Sequence, residues 1–120
     1  MQRMLIVDDS AVIRKVGKRI LNGMGFLVAE ASSSSTTLDL CARRLPDAII
    51  LDAGMEDAVE TITRVRAMKG GEGVRIYYCL VKADLKHMMA GRRAGADDFL
   101  VKPFDRDSLA EAFGRYVEAA

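Results

Sequence analysis

The run Ala48-Ile49-Ile50-Leu51 constrains this chain more than any other stretch. Successive side chains of a strand point to opposite faces, so four apolar residues in a row describe a short strand buried on both sides. Such a strand needs a covering layer on each face, the condition of a parallel sheet wrapped by helices. Leu45-Pro46-Asp47 bounds the run upstream, and it ends on a carboxylate, Asp52, followed by Ala53, Gly54 and Met55. In open α/β sheets, chemistry collects at the carboxyl ends of the strands. A lone Asp there is commonly a turn former or a helix cap. Two other strand ends change that reading, Asp8-Asp9 and Lys102.

Four more runs complete the pattern. Arg3–Val7 stops at Asp8-Asp9, Phe26–Ala31 and Val74–Val81 read as strands, and Asp98–Val101 ends at Lys102-Pro103. Helical patterns separate them. The first is capped by Ser10, is predicted to bury Val12, Ile13, Val16, Ile20 and Leu21, and is ended by Gly23 and Gly25. The second follows the polar loop Ser32 to Ser35, whose last serine is its expected cap, and turns Leu38, Leu40 and Cys41 inward before Arg43-Arg44 and Pro46. The third starts from the cap pair Glu56-Asp57, turns Val59, Ile62 and Val65 inward, and stops at Gly70, Gly71 and Gly73. Asp84–Arg93 forms the fourth and turns out at Ala94-Gly95-Ala96. The last is capped by Asp105 or Asp107, with Leu109, Phe113 and Val117 inward. Strands alternating with helices, with no repeat and no boundary, predict one domain over 1–120 with a parallel sheet and helices on both faces.

The chain has 120 residues, half of them hydrophobic, and a formal net charge of +1. That balance gives no electrostatic case for nucleic acid or a membrane surface as a partner. Cys41 and Cys79 lack metal-ligand spacing and read as reduced core thiols. No apolar run approaches the ~20 residues of a membrane span, and the opening residues already read as strand rather than signal peptide, so the expected location is cytoplasmic.

Asp8, Asp9, Asp52 and Lys102 therefore share one edge of the predicted sheet. If strands one, three and five are central neighbours, these groups converge within a few ångströms, and three carboxylates so close repel unless a cation sits among them. Hard oxygen ligands with open positions suit Mg²⁺, which keeps several waters and often meets a phosphate. Lysine could balance one more anionic oxygen.

Val7-Asp8-Asp9-Ser10, Leu51-Asp52 with Met55 three later, Gly95-Ala96-Asp97-Asp98-Phe99 and Lys102-Pro103-Phe104 together resemble the receiver domain of bacterial two-component response regulators, in the stand-alone CheY-like form. The resemblance spans the whole chain. It implies a flavodoxin-like (βα)5 fold with strand order 2-1-3-4-5. It implies that Asp52 is the phosphoacceptor, taking a phosphoryl group from a sensor histidine kinase or a histidine phosphotransfer protein. Asp9, Asp52 and the Gly54 carbonyl would ligate Mg²⁺, with Asp8 acting mostly through water. Lys102 would contact the phosphoryl group, and Lys102-Pro103 would be a cis peptide. Output would be binding to a downstream protein, by a monomer or weak homodimer that accepts and loses its own phosphoryl group rather than turning over as an enzyme.

Departures from the family pattern are equally specific. The strand-four Ser or Thr that hydrogen-bonds the phosphoryl group falls at Leu80, or at Cys79 or Val81 if the register slips, and none carries a hydroxyl. Val81 is branched where the family prefers a small residue. Phe99 stands at the strand-five switch aromatic and lacks a phenolic OH. Glu56 replaces a typical proline and Glu60 a glycine. His87 reads as a solvated surface residue rather than a ligand or base, and Met88-Met89 as core edge. Lys82, Lys86, Arg92 and Arg93 read as a solvated face or a partner surface. The competing function is a degenerate receiver that binds partners without phosphorylation. A phosphatase of the haloacid dehalogenase type is set aside, because Val7-Asp8-Asp9-Ser10 lacks its spacing of two acids on the first strand. With no effector segment after Ala120, the expectation is no DNA binding.

Overall fold

The computed structural model describes residues 2–117. Five strands, β1 (Arg3–Val7), β2 (Leu27–Ala31), β3 (Ala48–Asp52), β4 (Arg75–Leu80) and β5 (Asp98–Val101), form one parallel sheet of order 2-1-3-4-5. Helices α1 (Ala11–Gly23), α2 (Ser34–Arg43), α3 (Ala58–Ala67), α4 (Leu85–Ala94) and α5 (Arg106–Phe113) are the crossovers that parallel strands require. Alternation along the central strands divides the interior in two. Leu5, Val7, Ile49, Leu51, Ile76, Tyr78 and Leu80 face the layer of α2, α3 and α4. Met4, Ile6, Ala48, Ile50, Tyr77, Cys79 and Leu100 face Leu21 of α1 and Leu109 and Phe113 of α5. All of β3 is buried, which is why its sequence reads as unbroken apolar residues up to Asp52.

Helix starts follow local chemistry. The Ser10 hydroxyl accepts the Ile13 amide, and Asp84 accepts that of Lys86. Asp105, not Asp107, caps α5, with Ser108 completing a reciprocal box. Ser33 rather than Ser35 caps α2, and Asp57 stands at the start of α3 without a capping side-chain bond.

Several inward residues differ from the sequence expectation. Val12 (72% exposed) and Val16 face outward, while Gly17 and Leu21 are the buried positions of α1. A Cβ on Gly17 would lie 2.8 Å from Ile6 Cδ1 and 3.1 Å from the Phe104 ring, so a bare helix surface presses onto the sheet there and turns both valines out. In α3, Ala58, Thr61, Ile62 and Val65 are buried and Val59 is exposed. Phe26 is buried just ahead of β2, Val74 and Val81 lie outside β4, and Val117 is exposed past the end of α5. Met88 packs against the α2–α4 core while Met89 is exposed.

Candidate functional site

β1 and β3 are neighbours with Val7 opposite Leu51, which brings the acids that end them side by side. Asp8, Asp9 and Asp52 each offer an oxygen within 4.8 Å of the others. Asp8 and Asp52 are 3% and 7% exposed, and Asp9 is exposed. Lys102 follows β5, and its amide donates to the Leu80 carbonyl at 2.7 Å. Its ammonium reaches back across the sheet edge to Asp8 Oδ2 at 2.7 Å and Asp52 Oδ1 at 2.9 Å. The turns hold the acids in place. The Ser10 amide donates to Asp8 Oδ1 at 2.9 Å, the Gly54 amide to Asp52 Oδ1 at 3.0 Å, and Arg14 to the Asp8 carbonyl at 2.7 Å. The Lys102–Pro103 peptide bond is cis.

Burial alone would push the Lys102 ammonium down, but its hydrogen bonds to Asp8 and Asp52 outweigh that and hold it above the ordinary lysine value. It stays charged. Three carboxylates and one ammonium still leave a surplus of two negative charges. Oxygens this close, one set open to solvent through Asp9 and none of them soft, fit a hard divalent cation of the Mg²⁺ kind. Below the acids, Cys79 pairs with Asp52 across the β3–β4 ladder, and burial pushes its thiol up to about 12. That thiol is protonated and inert, and Cys41 is likewise free and buried.

The family model described as the response regulator receiver domain matches residues 4–114. The chain belongs to the response regulator receiver domain family. Among curated relatives, response regulator MprA of Mycobacterium sp. (strain KMS) is 35% identical over 109 residues, covering 89% of this chain and 46% of that protein. Transcriptional regulatory protein PrrA of Mycobacterium tuberculosis is 38% identical over 115 residues, covering 94% of this chain and 47% of that protein. This receiver thus spans about half the length of the curated relatives it matches. Among solved structures, chemotaxis response regulator CheY4 of Vibrio cholerae has a TM-score of 0.90 at 27% identity, with 96% of this chain and 98% of that one covered. The receiver domain of sensor histidine kinase PA1611 from Pseudomonas aeruginosa PAO1 has a TM-score of 0.86 at 26% identity, with 98% of each chain covered. That structure has a magnesium ion coordinated in its active site cleft. Among the described residues of this receiver, no helix is long and apolar enough to cross a membrane.

The positions expected to depart from the family pattern have varied surroundings. Leu80 is 5% exposed and points into the α2–α4 core, whereas Val81 is 78% exposed. Val81, with Val12, Val16 and Pro103, lines an apolar cavity of about 380 Å³ beside Lys102. Phe99 is half-buried against the α2–α4 core, with the Arg92 guanidinium 5.2 Å from its ring centroid. Glu56, Asp57 and Glu60 line a groove that His87 borders from the opposite side. His87 is well exposed, as its sequence reading has it, but it is not featureless: Nδ1 lies 2.6 Å from Asp84 Oδ2. That hydrogen bond, more than any other influence, holds the Asp84 carboxyl below its usual range. The only sequence signal for this pair was the Asp-x-x-His spacing at a helix start, which reads equally well as an ordinary cap.

Proposed function

We propose that Asp52 accepts a phosphoryl group from the phosphohistidine of a sensor histidine kinase or histidine phosphotransfer protein, in a Mg²⁺-dependent reaction, and that the phosphorylated receiver signals by binding a downstream protein. The observation that carries this reading is a nearly buried Asp52 carboxylate held by Lys102 within reach of two further acids. In the transfer, an Asp52 oxygen forms the new bond to phosphorus as the nitrogen–phosphorus bond of the donor breaks. Asp8, Asp9, Asp52 and the Gly54 carbonyl would hold the cation, which supplies positive charge against the transferring group. Lys102 meets a phosphoryl oxygen as its contacts to Asp8 and Asp52 loosen. Burial of Asp52 limits access by bulk water.

The test is incubation with phosphoramidate and Mg²⁺, read by intact mass. One phosphoryl group should appear, labile to hydroxylamine as an acyl phosphate must be, and Asp52→Asn should take up none. Wild-type protein that stays unmodified, under conditions that label an ordinary receiver, would hand the assignment to the degenerate reading. Leu80 and Val81 favour that second reading, since no side-chain hydroxyl stands at the end of β4 to meet a phosphoryl oxygen.

A further inference from the structure

We propose that His87 is a catalytic residue for hydrolysis of the acyl phosphate on Asp52, a role that rests on Asp52 being the acceptor. His87 is the single histidine of the chain. Asp84 caps α4 through Oδ1, which accepts the Lys86 amide at 3.0 Å, and holds the imidazole through Oδ2 at 2.6 Å. A carboxylate on Nδ1 fixes the proton there and leaves Nε2 as a hydrogen-bond acceptor. The ring borders a cavity of about 220 Å³ whose other walls include Ala53, Gly54, Leu80 and Val81, room enough for water.

This cavity meets the acid cluster at Gly54. A Cβ at that position would stand 3.4 Å from Asp52 Oδ1, so a glycine keeps side-chain bulk off this approach to the carboxylate. A water entering the cavity would have His87 on one wall and, past Gly54, the Asp52 carboxylate on the other. The charged and titratable groups facing the ring are Asp84 on its own helix, Lys82 in the same cavity, Glu56, Asp57 and Glu60 across the neighbouring groove, and Tyr78 of β4. Of these, Asp84 alone is bonded to it, and Lys82 is the cation that shares the cavity.

In the step, the water oxygen forms a bond to phosphorus and the bond from phosphorus to the Asp52 oxygen breaks. The electron pair returns to the carboxylate, the water proton passes to His87 Nε2, and inorganic phosphate leaves. Asp84 stabilises the imidazolium until its proton passes to solvent. Asp84 is a positioning residue.

The experiment loads wild type, His87→Gln, His87→Ala and Asp84→Asn with phosphoramidate and Mg²⁺, removes the donor, and follows decay by intact mass in H₂O and in D₂O. His87→Gln should load normally and decay roughly 10-fold more slowly or more, without the solvent isotope effect of wild type. Added imidazole should shorten the lifetime of phosphorylated His87→Ala. Asp84→Asn should decay at an intermediate rate with a smaller isotope effect. A loaded His87→Gln that decays at the wild-type rate with the wild-type isotope effect removes the role of His87 and leaves Asp52 as acceptor. Wild type that never loads overturns both.

Discussion

The two ends of the sheet are built on opposite principles. At the amino-terminal end, charges are used up on the fold. Arg66, at the end of α3, donates to the carbonyls of Gly71, Val74 and Gly95 and to Asp97 Oδ2, and that same Asp97 oxygen accepts the Ile76 amide. A Cβ on Gly71 would come within 1.9 Å of the Val65 carbonyl, so the chain passes too tightly there for any side chain. The Arg75 guanidinium stacks 3.6 Å from the Tyr116 ring centroid. At the carboxyl-terminal end, one lysine faces three acids and a surplus of negative charge persists. An end knit together by such bonds holds the strands in register, although the Arg75 Nε is buried there without a hydrogen-bond partner. An end left with unbalanced charge is the one that needs something from outside.

Four substitutions test that contrast, from the largest expected effect to the smallest. Arg66→Ala strands several carbonyls and Asp97 together and should cost about 4 kcal/mol in urea unfolding. Phosphoryl uptake at Asp52 should survive whenever the variant is folded, and lost uptake in a folded variant would erase the division between the ends. Lys102→Met should cost about 3 kcal/mol near neutrality, because it leaves Asp8 and Asp52 buried without their cation. Since the folded protein holds Lys102 above the ordinary lysine value, its contribution is complete below that value and fades as pH rises through the folded one. Wild type should therefore lose this increment on alkaline titration, and Lys102→Met should not.

Leu80→Thr should cost about 2 kcal/mol through lost burial. It should enlarge the amide chemical-shift response of residues 80–90 and Phe99 to beryllofluoride, because a hydroxyl there gains a contact only in the occupied state. Large shifts through this region already present in wild type would show the hydroxyl to be dispensable. Asp9→Asn should be the mildest, raising stability by about 0.5 kcal/mol through relieved repulsion while abolishing stabilisation by Mg²⁺. An unchanged response to Mg²⁺ would remove Asp9 from the cation site.

The strands themselves and the sheet edge that carries the acids were legible because both follow from short-range pattern, whereas the strand order 2-1-3-4-5 came with the family resemblance. An unbroken apolar run fixes a doubly buried strand, and the residue after it necessarily lies at the sheet edge. Asp8, Asp9, Asp52 and Lys102 needed no more than that, given the connection rules of parallel sheets. Helix faces were read less well, since one residue turns a helix by ~100° and a close contact can rotate the whole face. Val12 and Val16 fit the apolar stripe of α1, yet Gly17, which contributes nothing to hydrophobic periodicity, decides which side packs. Four consecutive serines offered several caps, and only the backbone selects Ser33. The Arg66 junction joins residues as far as 31 positions apart and leaves no local trace.

The Gly17 contact has a mechanical consequence. Phe104 is buried against α1, two residues beyond Lys102, with its ring in the notch that the missing side chain leaves. Lys102 and Phe104 thus pin a three-residue segment at both ends, one on the acids and the other under a helix. The same segment therefore ties the acid cluster to α1, the helix whose outer surface carries the exposed Val12 and Val16.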